Sequence, residues 1–143
     1  MAEIQKQIPA GVGFTLNSLY INPCQFTFQL SLWQEMQKGL PIEGFCVAAG
    51  VPTTEKAVEI IDGWKAAGIR HVAFKPGSVD GIYQVAANPD FPVILQWTGG
   101  RFGGHHSFED FYHPILATYC SICQYDNNSL VAGSGFGSAD DVR

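Results

Sequence analysis

Two adjacent histidines, His105 and His106, follow a run of glycines and are the side chains best suited to chemistry. The stretch 92–108 reads PVILQWTGGRFGGHHSF, with four glycines in the six residues 99–104. Glycine permits backbone conformations that other residues resist, and it lets a flat or charged ligand approach main-chain amides. An imidazole titrates near neutral pH and can move a proton. The pattern indicates a ligand-binding loop with an acid–base group, and a flexible turn with solvated histidines is the alternative.

A second glycine-rich stretch, residues 133–141, reads GSGFGSADD and follows a short apolar run. Its backbone amides and serine hydroxyls can surround a phosphate. The spacing matches neither the dinucleotide pattern G-x-G-x-x-G nor a Walker loop. The stretch therefore indicates an anion site of another type, or a turn before a helix that binds nothing. The residues concerned are Gly133, Ser134, Gly135, Phe136, Gly137 and Ser138.

Three polar side chains stand near the predicted ends of apolar strands. Lys75 follows one strand and can hold an anionic or electron-rich group, although an ordinary exposed lysine is the alternative. Gln96 and Thr98 lie at the end of the next strand, where they can form hydrogen bonds with the edge of a flat ring. We assign no role to His71 or His113, which are more often structural or solvated in such positions.

The elements that must position these residues alternate from residue 41 onward as strand, helix, strand, helix, strand, helix, strand. This order predicts an α/β fold with a parallel sheet and right-handed crossovers. The carboxyl ends of parallel strands share one edge, so the loops after them should gather there. The predicted strands are 44–49, 69–74, 93–95 and 128–132, with a possible earlier strand at 11–16. The predicted helices are 52–68, 79–87 and 108–124, and residues 24–39 become helix-like in their second half.

Helix signals within this pattern are local. Thr53 or Thr54 can cap the first of these helices, and Gly68 should end it. Glu109 and Asp110 resemble a catalytic acid pair. However, both fall in the first turn of the predicted helix 108–124, where the positive end of the helix dipole favours acidic residues without any catalytic role.

Composition limits the class of protein. The chain has 143 residues, enough for one domain, and its 46% hydrophobic and 15% charged residues suit a buried α/β core. A net charge of −5 argues against nucleic acid or an anionic membrane as a partner. No apolar run approaches a membrane span, and the start lacks the features of a secretory signal. We therefore expect a cytoplasmic chain, with residues 1–10 forming a disordered end.

The cysteines give a weak signal. Cys120 and Cys123 form a single C-x-x-C, whereas a zinc ribbon needs two such pairs. A redox pair normally begins a helix, and this one falls late in a predicted helix. We expect reduced thiols and predict no metal site, as is usual for a cytosolic chain.

Four segments resemble the enoyl reductase domain of the fungal type I fatty acid synthase β subunit. They read GLPIEGFCVAAGVPTTEKA, HVAFKPGSVDGI, NPDFPVILQWTGGRFGGHHSFEDF and VAGSGFGSADD. The resemblance extends from about Gly11 to the end of the chain, and the run around the two histidines is long and specific. More distantly, Gly-Gly-His after a strand resembles flavin enoyl reductases and nitronate monooxygenases.

The resemblance implies an FMN-dependent (β/α)8 TIM barrel. Hydride would pass from NADPH through FMN to the β carbon of a trans-2-enoyl thioester on acyl carrier protein, and the α carbon would take a proton. Other fatty acid synthase domains and the α subunit would be partners.

The resemblance also implies site residues. His105 takes the position of substrate activation or proton donation, with His106 as the fallback. Residues 133–137 would bind the FMN phosphate. The flavin ring and ribityl chain would lie against Ala48, Ala49, Lys75, Gln96, Thr98, Gly99 and Gly100.

A full barrel needs about 200 residues or more, so 143 residues suggest roughly half a barrel. Half a barrel leaves strand edges unpaired. We therefore expect the isolated chain to be inactive and to depend on other chains. Two alternatives stay open: a non-catalytic remnant or interaction fragment of the synthase, and a small flavodoxin-like binder whose sheet is complete within 143 residues.

Overall fold

The computed structural model describes residues 2–86, 90–100, 109, 112–133 and 138–142. Its five strands form one sheet in the order β1-β2-β3-β4-β5, and every neighbouring pair is parallel. The predicted parallel α/β fold is confirmed, including the possible early strand. The strands are β1 (Phe14–Leu19), β2 (Ile42–Ala48), β3 (His71–Phe74), β4 (Val93–Thr98) and β5 (Asn128–Gly133).

Helices precede the sheet and connect successive strands. They are α1 (Ala2–Gln7), α2 (Pro23–Gln37), α3 (Thr54–Ala66), α4 (Val79–Ala86) and α5 (His113–Ile122), followed by a 3-10 turn at Ala139–Val142. Helix α1 lies where the sequence predicted a disordered end. Among the described residues, no helix combines the length and apolar character needed to cross a bilayer.

Local signals fix the ends of α3. The hydroxyl of Thr53 accepts a 3.3 Å hydrogen bond from the amide of Lys56, which confirms the predicted cap. Gly68 follows the helix with φ of 83°, a left-handed conformation that glycine adopts without steric cost. The start of α2 was less clear from the alternating sequence. There Asn22 accepts a 2.9 Å bond from the amide of Cys24, and Pro23 opens the helix.

The predicted start of α5 was wrong. The helix begins at His113 rather than at residue 108, and Pro114 stands in its first turn. A proline has no amide to donate, so it is tolerated there and would break a helix that began six residues earlier. Glu109 therefore lies outside the helix whose dipole was expected to hold it, and Asp110 lies outside the described residues.

The core lies between the helices and one side of the sheet. Val93, Leu95 and Trp97 of β4 are fully buried on this side, alternating with half-buried residues that face the other way. Trp64 of α3 stacks on Phe45 of β2 with ring centroids 4.6 Å apart and planes 16° apart. This packing fixes which side of each strand faces the helices.

The other side of the sheet carries small residues at its centre. Cys46 of β2 pairs in register with Ala73 of β3, and both are buried. Leu19 of β1 and Val131 of β5, on the two outer strands, are about half exposed, at 47% and 46%. This helix-free side is therefore open at both margins in the part of the chain that the structure describes.

Candidate functional site

The two glycine-rich stretches begin side by side at the carboxyl edge of the sheet. Thr98 of β4 pairs in register with Gly133 of β5. One residue further, the amide of Gly99 donates a 3.1 Å hydrogen bond to the carbonyl oxygen of Gly133. The strands are parallel, so the chain leaves both ends in the same direction. The carboxyl edge of β4 and β5 is therefore the place where the two stretches meet.

The end of β2 adds a backbone outlier at the same edge. Ala49 has φ of 61°, a left-handed conformation that costs a non-glycine residue on the order of 1 kcal/mol. The next residue is confined, because a Cβ at Gly50 would lie 2.6 Å from the carbonyl oxygen of Tyr20. The amide of Tyr20 in turn donates a 2.7 Å bond to Ala48. Strain held in place by its surroundings is common at functional sites.

Lys75 brings a positive charge to this edge. Its amide donates a 3.2 Å bond to Val47, so the backbone continues alongside β2 beyond the last residue of β3. Burial raises the pKa of the Cys46 thiol, and the Lys75 ammonium partly opposes that rise. The half-buried ammonium thus acts on the helix-free side of the sheet, where Cys46 lies.

Gln96 and Thr98 are half-buried and alternate with the core residues of β4. They therefore share the helix-free side. Phe74 pairs in register with Leu95. The next residues along the two chains, Lys75 and Gln96, are therefore also neighbours. Three of the predicted polar groups are brought together in this way.

Charge at the edge favours an electron-rich ligand. Among residues 48–51, 75–78 and 98–100, which follow or end β2, β3 and β4, Lys75 is the one charged side chain. The chain as a whole carries a net charge of −5. Lys75 therefore supplies a positive charge for an electron-rich ligand, while the Glu109 carboxylate lies beside Val79, one residue past the loop 75–78.

Six of the predicted site residues lie outside the described residues: His105, His106, Ser134, Gly135, Phe136 and Gly137. Described residues lie on both sides of each stretch. Gly100 and Glu109 flank the histidine stretch, and Gly133 and Ser138 flank the second stretch. The predicted roles of the six residues stay predictions.

His71 lies away from this edge. It begins β3, and its Nε2 is hydrogen-bonded to the Thr15 hydroxyl at 2.9 Å. Its ring covers Gly44, the residue with which His71 pairs in register. These contacts give His71 a structural place at the amino end of the sheet. His113 is exposed at the start of α5.

Sequence reasoning missed the position of Glu109. Its Oε1 accepts a 3.3 Å hydrogen bond from the amide of Val79, the first residue of α4. The two residues are 30 positions apart, so no local pattern relates them. Pro114 was the signal that could have placed Glu109 outside α5.

The fold is shared with a solved structure. A FabK mutant from Thermotoga maritima superposes with a TM-score of 0.67 over 98% of this chain and 41% of that chain, at 16% sequence identity. The likeness at this identity concerns the fold.

Sequence comparison defines the family. Residues 92–143 match the family model described as "Fatty acid synthase subunit beta/Fas1-like, helical". The chain is 57% identical over 143 residues to fatty acid synthase 2 of Mycosarcoma maydis and 49% identical over 146 residues to the fatty acid synthase subunit beta of Schizosaccharomyces pombe. It is 51% identical over 140 residues to the fatty acid synthase beta subunit aflB of Emericella nidulans.

These alignments cover 96%, 99% and 94% of this chain, and the chain spans 4%, 7% and 6% of the three relatives. The chain is therefore a relative of the fungal fatty acid synthase β subunits, matched along one short segment of them.

Proposed function

We propose that the chain forms part of an enoyl-thioester reductase of fatty acid synthesis that uses FMN and NADPH. The observation that carries the proposal is the hydrogen bond from Gly99 to Gly133, which brings two glycine-rich stretches to one edge of the sheet. The names of the relatives support fatty acid synthesis as the setting. The resemblance of the histidine stretch to enoyl reductase domains supports the reaction.

The described residues fit a flavin nucleotide. Among the described residues, a Cβ at Gly133 would meet only the carbonyl oxygen of Trp97, at an ordinary 3.6 Å. The described part of the chain therefore does not crowd this end of β5, which supports the approach of a ligand to its backbone. Lys75 supplies the positive charge, and Gln96 and Thr98 supply hydrogen-bonding groups for the edge of a ring. When bound, FMN would supply a hydride originating on NADPH to the β carbon of a trans-2-enoyl thioester.

The chain's own residues orient the reactants and move the proton. Backbone amides of residues 133–137 would bind the phosphate, as amides of glycine-rich turns do. The ring and ribityl chain would lie along Ala48–Ala49 and Gly99–Gly100. Holding the reacting atoms in one geometry is the main contribution that such a site makes to the rate.

His105 is the proposed proton donor. Its sequence position, six residues beyond Gly99, lies in the connection that leaves the edge at β4. A histidine with a pKa near neutrality can protonate the α carbon or polarise the thioester carbonyl. His106 is the alternative donor.

The sheet fits part of a (β/α)8 barrel. Its strands follow one another in sequence order without a reversal, and a helix follows each of β1 to β4. A doubly wound sheet would reverse its order at some point. Outer strands β1 and β5 pair on one side only among the described residues. We propose that further strands continue the barrel from these two margins, and that acyl carrier protein, other synthase domains and the α subunit are partners of a cytoplasmic assembly.

Flavin binding tests the proposal. We would purify the protein at its natural full length and record the flavin absorbance spectrum and the FMN content. One FMN per chain and NADPH-dependent reduction of an enoyl thioester are expected. A protein without flavin after reconstitution would refute the proposal. The isolated 143-residue chain, tested in parallel, should bind no flavin tightly and show no reduction.

A second candidate is a structural or interaction segment without catalysis. The outward side of α2 favours it, because Phe28 and Leu32 are 67% and 49% exposed although the same helix buries Phe26. An apolar side of this kind is usually covered by another segment. The second function is supported, and the first refuted, if the full-length protein lacks FMN and Phe28→Glu prevents its assembly with partner chains.

A further inference from the structure

Glu109 connects two parts of the chain that the proposed site uses. Its Oε1 accepts a 3.3 Å hydrogen bond from the amide of Val79. Val79 begins α4, so its amide has no acceptor within the helix and lies at the positive end of the helix dipole. The Glu109 side chain is half-buried, which limits screening of this contact by water. The contact therefore ties position 109 to the start of α4.

Different side chains accept hydrogen bonds from different backbone amides at the start of α4. The hydroxyl of Ser78 accepts a 3.1 Å bond from the amide of Gly81. Glu109 accepts from Val79, an amide that the Ser78 hydroxyl does not serve. A second bond joins the two helices further along, from the Tyr83 hydroxyl to the carbonyl oxygen of Ala117 at 3.1 Å. The Tyr83 bond holds α5 to α4, whereas the Glu109 bond holds position 109, which precedes α5, to the start of α4.

This connection has a described anchor near each end. Gly99 is bonded to Gly133 of β5, and Glu109 is bonded to Val79 of α4. His105 and His106 lie between the two anchors in the sequence. The loop that carries Lys75 runs directly into α4, so the second anchor lies at the end of that loop.

We infer that Glu109 is a positioning residue: its carboxylate holds position 109, three residues after His106 in the sequence, against the first turn of α4, and the proposed enoyl reduction depends on this hold. This inference rests on the proposed function, which gives the anchor its consequence for enoyl reduction. Glu109 acts through the backbone of Val79 and has no proposed contact with reactants. Its loss should therefore affect turnover more than binding.

The test uses Glu109→Ala and Glu109→Gln in the full-length protein. Glutamine keeps an acceptor oxygen of similar reach but loses the charge that strengthens a bond to a helix amide. We expect Glu109→Ala to lower kcat about 10- to 100-fold, the size of effect expected from a small misplacement of a reacting group. Glu109→Gln should restore part of that loss, and FMN content and the KM for NADPH should stay unchanged.

Glu59→Gln is the matched control. Glu59 is an exposed carboxylate on α3 whose contact is a 2.6 Å ion pair with Lys56. Hydrogen exchange of the Val79 amide supplies a readout independent of activity: exchange should accelerate in Glu109→Ala and stay unchanged in Glu59→Gln. Urea unfolding of each variant identifies a general loss of stability, and Glu109→Gln should unfold at the wild-type midpoint.

The outcomes separate the two proposals. An active wild type with unchanged kcat in Glu109→Ala would overturn the positioning role and leave the proposed function standing. Unchanged exchange at Val79 would show that the contact does not hold α4. A wild type without FMN and without enoyl reduction would overturn the proposed function, and the catalytic consequence of Glu109 with it.

Discussion

The nitrogen of Gly99 and the carbonyl oxygen of Gly133, 34 positions apart in the sequence, lie 3.1 Å apart, so the two glycine-rich stretches leave the sheet at one place. The bond joins backbone atoms, and neither residue has a side chain that could obstruct a ligand. Had the two strands been antiparallel, the stretches would have left at opposite edges.

Replacing His105 should separate flavin binding from catalysis. In the full-length protein, His105→Ala should keep its FMN and lose about 10²- to 10⁴-fold in enoyl reduction, the usual contribution of a positioned acid or base. The measurements are flavin absorbance and NADPH oxidation with an enoyl thioester. His113→Ala, at an exposed helix start, is the control and should match wild type. Unchanged turnover in His105→Ala would shift the assignment to His106, whose alanine variant belongs in the same series.

Filling the second glycine stretch should abolish flavin binding. Gly135→Val should occupy the space expected for the phosphate, so the purified variant should contain little FMN. Gly39→Val is the control, because Gly39 precedes β2 at the amino end of the sheet and a Cβ there would meet no described residue within 4 Å. Flavin retained in Gly135→Val at the wild-type level would remove the phosphate site from this stretch.

Gly44 and His71 should be energetically coupled. A Cβ at position 44 would overlap the His71 ring, which would have to turn away and lose its hydrogen bond to Thr15. We expect Gly44→Ala to lower the free energy of unfolding by about 1 kcal/mol, the usual value of one such bond. In a His71→Ala background the same change should cost little. A double-mutant cycle by urea unfolding measures this coupling, and additive effects would contradict it.

Cys46 should make stability fall in alkaline solution. Burial raises the pKa of its thiol above the ordinary 9.0, and the nearby Lys75 ammonium only partly opposes this. Between 9.0 and the raised pKa, the folded chain keeps a proton that the unfolded chain has lost. The free energy of unfolding should therefore decline as the pH rises through this window.

Urea unfolding from about pH 8 to about pH 10 measures the decline, because this range spans an ordinary thiol pKa. Cys46→Ala should reduce the slope, and Cys24→Ala, at an exposed position on α2, should leave it unchanged. Equal slopes in wild type and Cys46→Ala would show that the Cys46 thiol has no part in the pH dependence.

Local chemistry in the sequence determined most of the secondary structure. The apolar run that contains Val93 and Leu95 predicted β4, and the Thr53 cap and Gly68 stop predicted α3, because these signals act within a few residues. The order of elements also predicted a parallel sheet, since strands joined by helices pair that way. The candidate residues Lys75, Gln96, Thr98, Gly99 and Gly133 followed from their places at strand ends.

Tertiary structure alone decided the contacts between distant residues. The bond from Gly99 to Gly133 depends on strand register, and Tyr20, which is distant in sequence, leaves no space for a Cβ at Gly50, the residue after the left-handed Ala49. Glu109 was assigned to the dipole of α5, and it serves α4 instead, 30 residues earlier in the chain. A sequence pattern records spacing along the chain, whereas these contacts depend on how the sheet brings separate loops to one edge.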